Sequence, residues 1–396
     1  MQKPKVVDLF SGCGGLNEGF KRAGFKTVVS NDVWHPAKET FEKNNGSTDF
    51  VLGDITQKKI RDKIISIGKN ADVIIGGPPC QAYSMAGGRD VDDPRGRLFE
   101  DYVRIVKDIR PRYFVMENVM GLLSMEHDRV NLKPFEYKKL AEIKKLEREK
   151  ASLLLKRKQS KNTKAVKFLK SDEKELEEIK DLLKEKKKTT SGLRVKVTET
   201  IKKKFSRLGY EVQIQVLNAA DFGVPQKRQR VIVIGALGKN PIKFPEPSYR
   251  AKPNGKNLEL FQSNLLNWIT VKDAIDDLKN RPEDIAFNHI FTKNGKDFQR
   301  KLKKTPVGKT VYGGFSDAYF RCPPNEPSRT VKENHGGVFI HYEKDRFMTP
   351  RELARLQSFD DKFIFKGTKS QILVQIGNAV PPKLGYEIAT SIKENF

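Results

Sequence analysis

Through the first 120 residues, short apolar runs alternate with stretches whose apolar positions recur every three or four residues. The runs at 5–10, 26–30, 72–76 and 112–116 predict strands, and the stretches at 16–23, 37–44 and 99–109 predict helices. That alternation predicts an α/β fold built on a doubly wound sheet. The texture changes after Gly121. Residues 135–188 are dominated by Lys and Glu, with Leu176, Ile179 and Leu183 at helical spacing and a polar break at 160–163, which predicts an inserted helical hairpin. A helix at 197–208 and strands at 211–216 and 230–234 follow. From 238 to 344 the chain turns irregular and rich in Pro, Gly and Asn, with one short helical stretch at 271–278. Helices return at 350–356 and 382–392. The expected organisation is a first domain at 1–237 carrying the insertion 135–188, a smaller irregular domain at 238–344, and a return of 345–396 to the first domain.

Charge narrows the class of partner. The 396 residues hold 76 Lys and Arg against 50 Asp and Glu, a formal charge of +26. Such an excess favours a polyanion through counterion release, nucleic acid first, although a Lys-rich composition also serves solubility. No apolar run approaches the ~20 residues of a membrane helix, and residues 1–5 lead into a strand pattern without a signal-peptide core. A cytoplasmic, DNA-associated monomer with no membrane contact is expected. The three cysteines, Cys13, Cys80 and Cys322, have no paired metal-ligand spacing, so no metal is expected, and a lone thiol is free to be reactive.

The candidate chemistry lies at predicted strand ends. The apolar run Val6-Val7-Asp8-Leu9-Phe10 ends in Ser11-Gly12-Cys13-Gly14-Gly15, a turn that lets the backbone approach a ligand at the carboxyl edge of the sheet, or serves as a purely structural corner. Asp32, closing the second strand, is placed to accept ribose hydroxyls, and Asp54 could meet an adenine amine; either could equally cap its loop. Gly76-Gly77-Pro78-Pro79-Cys80-Gln81 is the strongest signal, because two prolines stiffen the backbone just before a thiol. The stretch 86–97 beyond it, with Arg89, Arg95 and Arg97, reads as a polar, basic loop able to close over DNA. Glu117 follows another apolar strand and shares that edge, where burial favours a protonated acid. Arg228 and Arg230, two positions apart, share one face and suit a base carbonyl, an acidic partner or a phosphate.

Taken together these motifs resemble the bacterial DNA (cytosine-5)-methyltransferase family over residues 5–130 and 205–396. The matching segments are the glycine turn 8–15, Pro78-Pro79-Cys80-Gln81, Glu117-Asn118-Val119, the group Gln226, Arg228 and Arg230, and Gln375-Ile376-Gly377-Asn378-Ala379-Val380-Pro381-Pro382. The resemblance implies a Rossmann-like methyltransferase sheet that binds S-adenosylmethionine, releases S-adenosylhomocysteine and acts on double-stranded DNA. Phe10 would stack on the adenine, Asp32 would hold the ribose and Asp54 the amine. Ser11, Gly12, Cys13, Gly14, Gly15 and Leu16 would form the cofactor turn. Val33, Ile55, Pro78, Leu98, Asn378, Ala379 and Val380 would complete the pocket.

The same resemblance makes Cys80 the nucleophile toward cytosine carbon 6, Glu117 the proton donor to ring nitrogen 3, and Arg230, backed by Arg228, the holder of the base carbonyl. Gln81, Ser84, Arg89, Arg95, Arg97, Gln226 and Arg321 would contact DNA, with the target sequence read by the small domain, whose variable part runs from 277 to 328. Cys322 is expected to pack in the interior. A modification role beside a cognate restriction endonuclease is the implied setting. The family's usual Phe or Trp before the motif serine is replaced by Tyr83, and its minimal members lack the insertion. That insertion reads as a solvated arm, or as a lysine-rich extension of the DNA footprint whose removal would flatten the salt dependence of binding. A tRNA cytosine methyltransferase and a catalytically silent DNA-binding regulator are the competing functions; the chain lacks the Cys-Phe-Thr signature of the first, and intact Cys80, Glu117 and Arg230 argue against the second.

Overall fold

Val6, Val7 and Leu9 in β1 (Lys5–Leu9) and Val73, Ile74 and Ile75 in β4 (Val73–Gly76) have no exposed surface, which is what continuous apolar runs produce when a sheet is covered on both faces. The computed structural model describes residues 2–79, 94–129, 132–162, 166–190, 192–252, 264–312, 319–333 and 339–396. Between those two strands come α1 (Gly15–Arg22), β2 (Lys26–Asp32), α2 (His35–Asn45), β3 (Asp49–Leu52) and α3 (Lys58–Gly68). After them come α4 (Pro94–Ile109) and β5 (Tyr113–Asn118). Later in the chain, β8 (Tyr210–Asn218) and β9 (Gln229–Leu237) complete a seven-stranded sheet ordered β3-β2-β1-β4-β5-β9-β8. Its first five strands are parallel, and β9 runs antiparallel to both β5 and β8. The doubly wound α/β sheet expected from the sequence is present, with this one reversed strand inserted near its edge.

Both faces of the sheet are sealed by close packing. On one, α1 meets α12 (Pro382–Lys393) so tightly that a Cβ on Gly19 would lie 2.5 Å from the backbone of Gly385 and Tyr386. On the other, Phe114 stacks on Phe205 at 4.0 Å, and a Cβ on Gly235 would sit 1.9 Å from the Phe114 ring. The chain end therefore returns beside the first strand.

Contacts divide the chain into two compact units, 1–122 with 202–396, and 123–201. The second unit holds the antiparallel strands β6 (Glu126–Asp128) and β7 (Arg194–Lys196) and the helices α5 (Pro134–Asn162) and α6 (Lys170–Thr189). Pairs from Lys186 to Glu142 at 2.8 Å and from Lys156 to Asp172 at 2.7 Å fix the two helices antiparallel. Leu176, Ile179 and Leu183 bury with Ile143 and Leu153 between them, which is why their helical spacing was informative. The unit extends past both ends of the hairpin foreseen at 135–188, because β6 and β7 pair at its base.

Several elements were not foreseen. The sequence reading had no strand at Asp49–Leu52, no helix at Lys58–Gly68, and a single helical stretch within 238–344. The structure adds α9 (Lys296–Lys304) there, between the foreseen helices α8 (Val271–Ile275) and α10 (Pro350–Leu356), and α11 (Lys369–Asn378) beyond them, while the helix expected at 197–208 is α7 (Val197–Ser206). In α9 only Phe298 and Leu302 face the interior, too sparse a stripe to stand out among Lys, Arg and Asp. A detectable signal existed for α11: Thr368 and Gln371 form a capping box. Residues 95–97, expected in a mobile loop, belong instead to the first turns of α4.

A buried polar network ties 289–352 together. Glu352 takes two hydrogen bonds from Arg346 at 2.7 and 2.8 Å, and His341 Nδ1 accepts the amides of Glu343 and Lys344. Burial pushes His341 down to about 4 and His289 below its ordinary range, in both cases against the attraction of Glu352 and with the repulsion of Arg346. Between the ordinary histidine value near 6.5 and about 4, the unfolded chain therefore binds more protons than the folded one. Stability from these groups is complete above about pH 6.5 and falls as the pH drops toward 4, by about 3 kcal/mol for His341 alone. Urea midpoints measured from pH 7 to 4.5 should fall accordingly. In His341→Asn, whose Oδ1 can replace Nδ1 as acceptor, the fall should be smaller, and an equal fall would remove His341 from the account.

Candidate active site

The sheet order reverses beside β1: the chain leaves β1 for β2 on one side, and β4 joins it on the other. Ligands of such sheets bind outside the carboxyl ends of the strands at this point. A cavity of about 710 Å³ lies there, lined by Asp8, Phe10, Ser11, Gly12, Cys13, Gly15 and Leu16 from the first strand and its turn, and by Gly76, Gly77, Pro78, Pro79, Glu117, Asn118 and Val119 after β4 and β5. Asn378, Ala379 and Val380 reach it from the chain end. A Cβ on Gly15 would lie 2.3 Å from the Val380 carbonyl oxygen, so only glycine lets the two ends meet here.

Local geometry at the turn is unusual in one respect. Phe10 has φ 55, a left-handed conformation that bulky residues avoid and that marks stored strain. Gly12, also left-handed at φ +53, would point a Cβ into open space. Its amide donates to Asp32 Oδ2 at 2.8 Å, and the Trp34 amide donates to Oδ1 at 2.9 Å, holding the Asp32 carboxylate against the cavity wall.

Sequence reasoning missed Trp34 in this wall, and placed Asp8 and Gln375 in motifs without giving either a role there. Asp8 Oδ2 and Gln375 Oε1 are buried oxygens with no hydrogen-bond partner among the described residues. Burial, then the charge of Asp32, holds the Asp8 carboxyl well above the usual carboxylate range. The wall thus combines apolar surfaces on Phe10, Leu16, Trp34 and Val380 with acceptor oxygens that the protein leaves unmet. That combination suits S-adenosylmethionine, which carries an aromatic base, ribose hydroxyls, an ammonium and a sulfonium. Val33 is exposed, Ile55 is buried in the core, Asp54 caps its loop by accepting the Thr56 amide at 2.8 Å, and neither these nor Gly14 and Leu98 line the cavity.

Glu117 closes β5 at the cavity's edge. Its Oε1 lies 2.8 Å from Arg230 Nε, both side chains being largely buried. Asn118 Nδ2 donates to the Pro78 carbonyl at 2.9 Å, fixing the Pro-Pro segment beside the acid. Cys80, Gln81, Ser84 and Arg89 lie outside the described residues, as does 313–318, and the side chains of Arg95 and Arg97 are likewise not described. Cys13 and Cys322 are buried thiols; burial pushes Cys13 up to about 12 and raises Cys322 as well, so neither offers a thiolate near neutral pH.

Three arginine and glutamine assignments need correction. Arg228 was paired with Arg230 on one face, but β9 begins at Gln229, and the Arg228 guanidinium turns inward to the carbonyls of Val331 at 2.9 Å and Gly377 at 3.1 Å. It pins the 331 and 377 segments to the strand and does not reach the cavity. Gln226, expected on DNA, is fully buried, donating to Leu356 O and Gln357 Oε1 and accepting the Val331 amide. Arg321, also expected on DNA, gives all its donors to the carbonyls of Leu302, Thr305, His341 and Lys344 and to Asp345. A second, more open cleft of about 760 Å³ shares Val119 with the first cavity and is lined by Lys227, Gln229, Arg230, Trp268, Thr330 and Lys332. Arg230 thus stands between a cofactor-sized cavity and a basic cleft.

Comparison with known proteins agrees with this geometry. Residues 4–143 and 163–394 match the family described as C-5 cytosine-specific DNA methylase. The chain is 33% identical over 408 residues to the Type II methyltransferase M.NgoFVII of Neisseria gonorrhoeae, spanning 100% of this chain and 87% of that one. It is 32% identical over 406 residues to the Type II methyltransferase M1.HphI of Haemophilus parahaemolyticus, spanning 98% and 86%. Among solved structures, a protein described as a DNA modification methyltransferase encoded within an E. coli prophage superposes with a TM-score of 0.65 at 22% identity, covering 99% of each chain. The S. pombe Dnmt2 methyltransferase superposes at 0.54 and 15% identity over 100% of each. These superpositions establish the Rossmann-like methyltransferase fold, and the sequence match establishes the family: the chain is a C-5 cytosine-specific DNA methylase.

Proposed function

We propose that this enzyme methylates carbon 5 of a cytosine extruded from duplex DNA, with S-adenosylmethionine in the 710 Å³ cavity and Cys80 as the transient covalent nucleophile. The observation that carries the reading is the Glu117–Arg230 pair standing at the edge of that cavity, beside the Pro78-Pro79 segment that leads into Cys80. Phe10, Asp32, Trp34, Asn378 and Val380, which line that cavity, would hold the cofactor, whose sulfonium would supply an electrophilic methyl group. Carbon 5 of cytosine is a weak nucleophile, so the ring is activated first. The Cys80 thiolate adds to carbon 6 while Glu117 passes a proton to ring nitrogen 3; Arg230 holds that carboxyl and the base carbonyl in register. After methylation, the carbon 5 proton passes to water, β-elimination breaks the carbon 6–sulfur bond and restores the Cys80 thiolate, and ring nitrogen 3 returns its proton to Glu117.

None of these atoms is reachable in a stacked duplex, so extrusion, at a few kcal/mol, is part of the reaction. Lys227, Trp268 and Lys332 in the second cleft offer cations and an aromatic face to the strand carrying the flipped nucleotide. Residues 238–344 form the target-recognition part, and the role is modification within a restriction system with a cognate endonuclease. Transfer of labelled methyl groups to duplex DNA but not to tRNA is expected, with bisulfite sequencing of DNA from expressing cells revealing one short methylated sequence. Transfer to tRNA alone, or to neither, would overturn the reading.

A further inference from the structure

We propose that the far end of the α5–α6 hairpin is a docking surface for the phosphate backbone of DNA flanking the methylated site; this rests on DNA being the substrate. The unit 123–201 holds 23 Lys and Arg against 14 Asp and Glu, and the two signs are segregated. Between 150 and 171 there are eight basic residues and no acid. Toward the base of the hairpin acids are interspersed with the lysines, and Lys186 is answered by Glu142 at 2.8 Å, Lys187 by Glu147 at 3.0 Å and Lys144 by Asp128, while exposed Lys138, Lys139, Lys184 and Lys188 have no ion pair among the described residues. At the far end Lys156 and Arg157 are answered by Asp172 and Glu173, whereas exposed Lys167 and Lys170 have no ion pair among the described residues. Lys158 is exposed beside them.

Helix stability does not account for this placement. Cations in the last turn of α5 do complement the helix dipole, which covers Lys158. Lys170, however, is the first residue of α6, where the same dipole disfavours a positive charge. A cation kept where it opposes its own helix is explained by an external anion. The 29-residue α5 is about 43 Å long, enough to lie along roughly a dozen base pairs.

The test uses the full-length enzyme with Lys158→Gln, Lys167→Gln and Lys170→Gln combined. Binding is measured across a salt series on two duplexes carrying the target, one with a dozen flanking base pairs on each side and one trimmed to the site. On the long duplex the slope of log K against log salt should become shallower by about 2 to 3, near 0.9 per lost phosphate contact. On the trimmed duplex it should not change, and kcat at saturating DNA should equal that of the unaltered enzyme. The Lys→Arg counterpart should keep the steep slope. An unchanged slope on the long duplex, an equal change on both duplexes, or a lower kcat would each overturn the docking surface while leaving the methyltransferase reading intact. Loss of binding to anionic vesicles with DNA binding unchanged would assign the surface to a membrane instead. Salt-independent binding by the unaltered enzyme would overturn both.

Discussion

Cys80→Ala should abolish methyl transfer while leaving cofactor and DNA binding in place. The expectation follows from elimination as much as from the motif. Of three cysteines, Cys13 and Cys322 are buried with thiols held protonated, so Cys80 is the one sulfur left to attack a base. It also follows directly on Pro79, which lines the cavity. With duplex DNA carrying 5-fluorocytosine at the target, the unaltered enzyme should accumulate a covalent complex, because fluorine cannot leave as the carbon 5 proton does. Cys80→Ala should give none. An adduct in that variant, or none in the unaltered enzyme under turnover conditions, would remove covalent catalysis from the account.

The next largest effect is expected at Glu117. Replacing it with Gln keeps the volume and a hydrogen-bonding head but removes the transferable proton, which should lower kcat by roughly 10² to 10⁴. It also replaces one of the carboxyl oxygens beside Arg230, whose Nε lies 2.8 Å from Glu117 Oε1. Arg230→Lys should be impaired too, because a lysine cannot present a planar fork to a carboxylate and a base carbonyl together. Neither variant should lose the cofactor. The two tryptophans make this measurable: Trp34 lines the cofactor cavity and Trp268 the second cleft. In a Trp268→Phe background, fluorescence reports on Trp34 alone, and cofactor titrations should match with Glu117 or Gln at 117. A variant that titrates normally yet turns over at the full rate would show that the acid is dispensable.

The central strands could be read from the chain because each is a continuous apolar run, and only a strand covered on both faces needs one. Their order, and with it the placing of the glycine turn, Pro78-Pro79 and Glu117 at strand ends, followed from the alternation with amphipathic helices. Short or weakly apolar elements escaped: β3 spans four residues, and α9 has two inward-facing side chains in nine. The extra β9 strand could be predicted as a strand but not as an antiparallel one, since direction depends on the partner it pairs with.

Sequence alone thus determined the sheet, the inserted hairpin and the edge at which the chemistry gathers, because these depend on local runs of burial and on the order of elements. Only the tertiary structure decided which polar side chains are available to a ligand. Trp34 faces the cofactor cavity while Val33 beside it faces solvent. Gln226, Arg228 and Arg321, which a linear reading offers to DNA or substrate, give their donors to carbonyls from distant segments, as far away as Gly377 for Arg228. A side chain's hydrogen-bonding capacity is written in its residue type, but what satisfies it is set by which remote backbone the fold brings within 3 Å or so, and no local pattern in the chain encodes that.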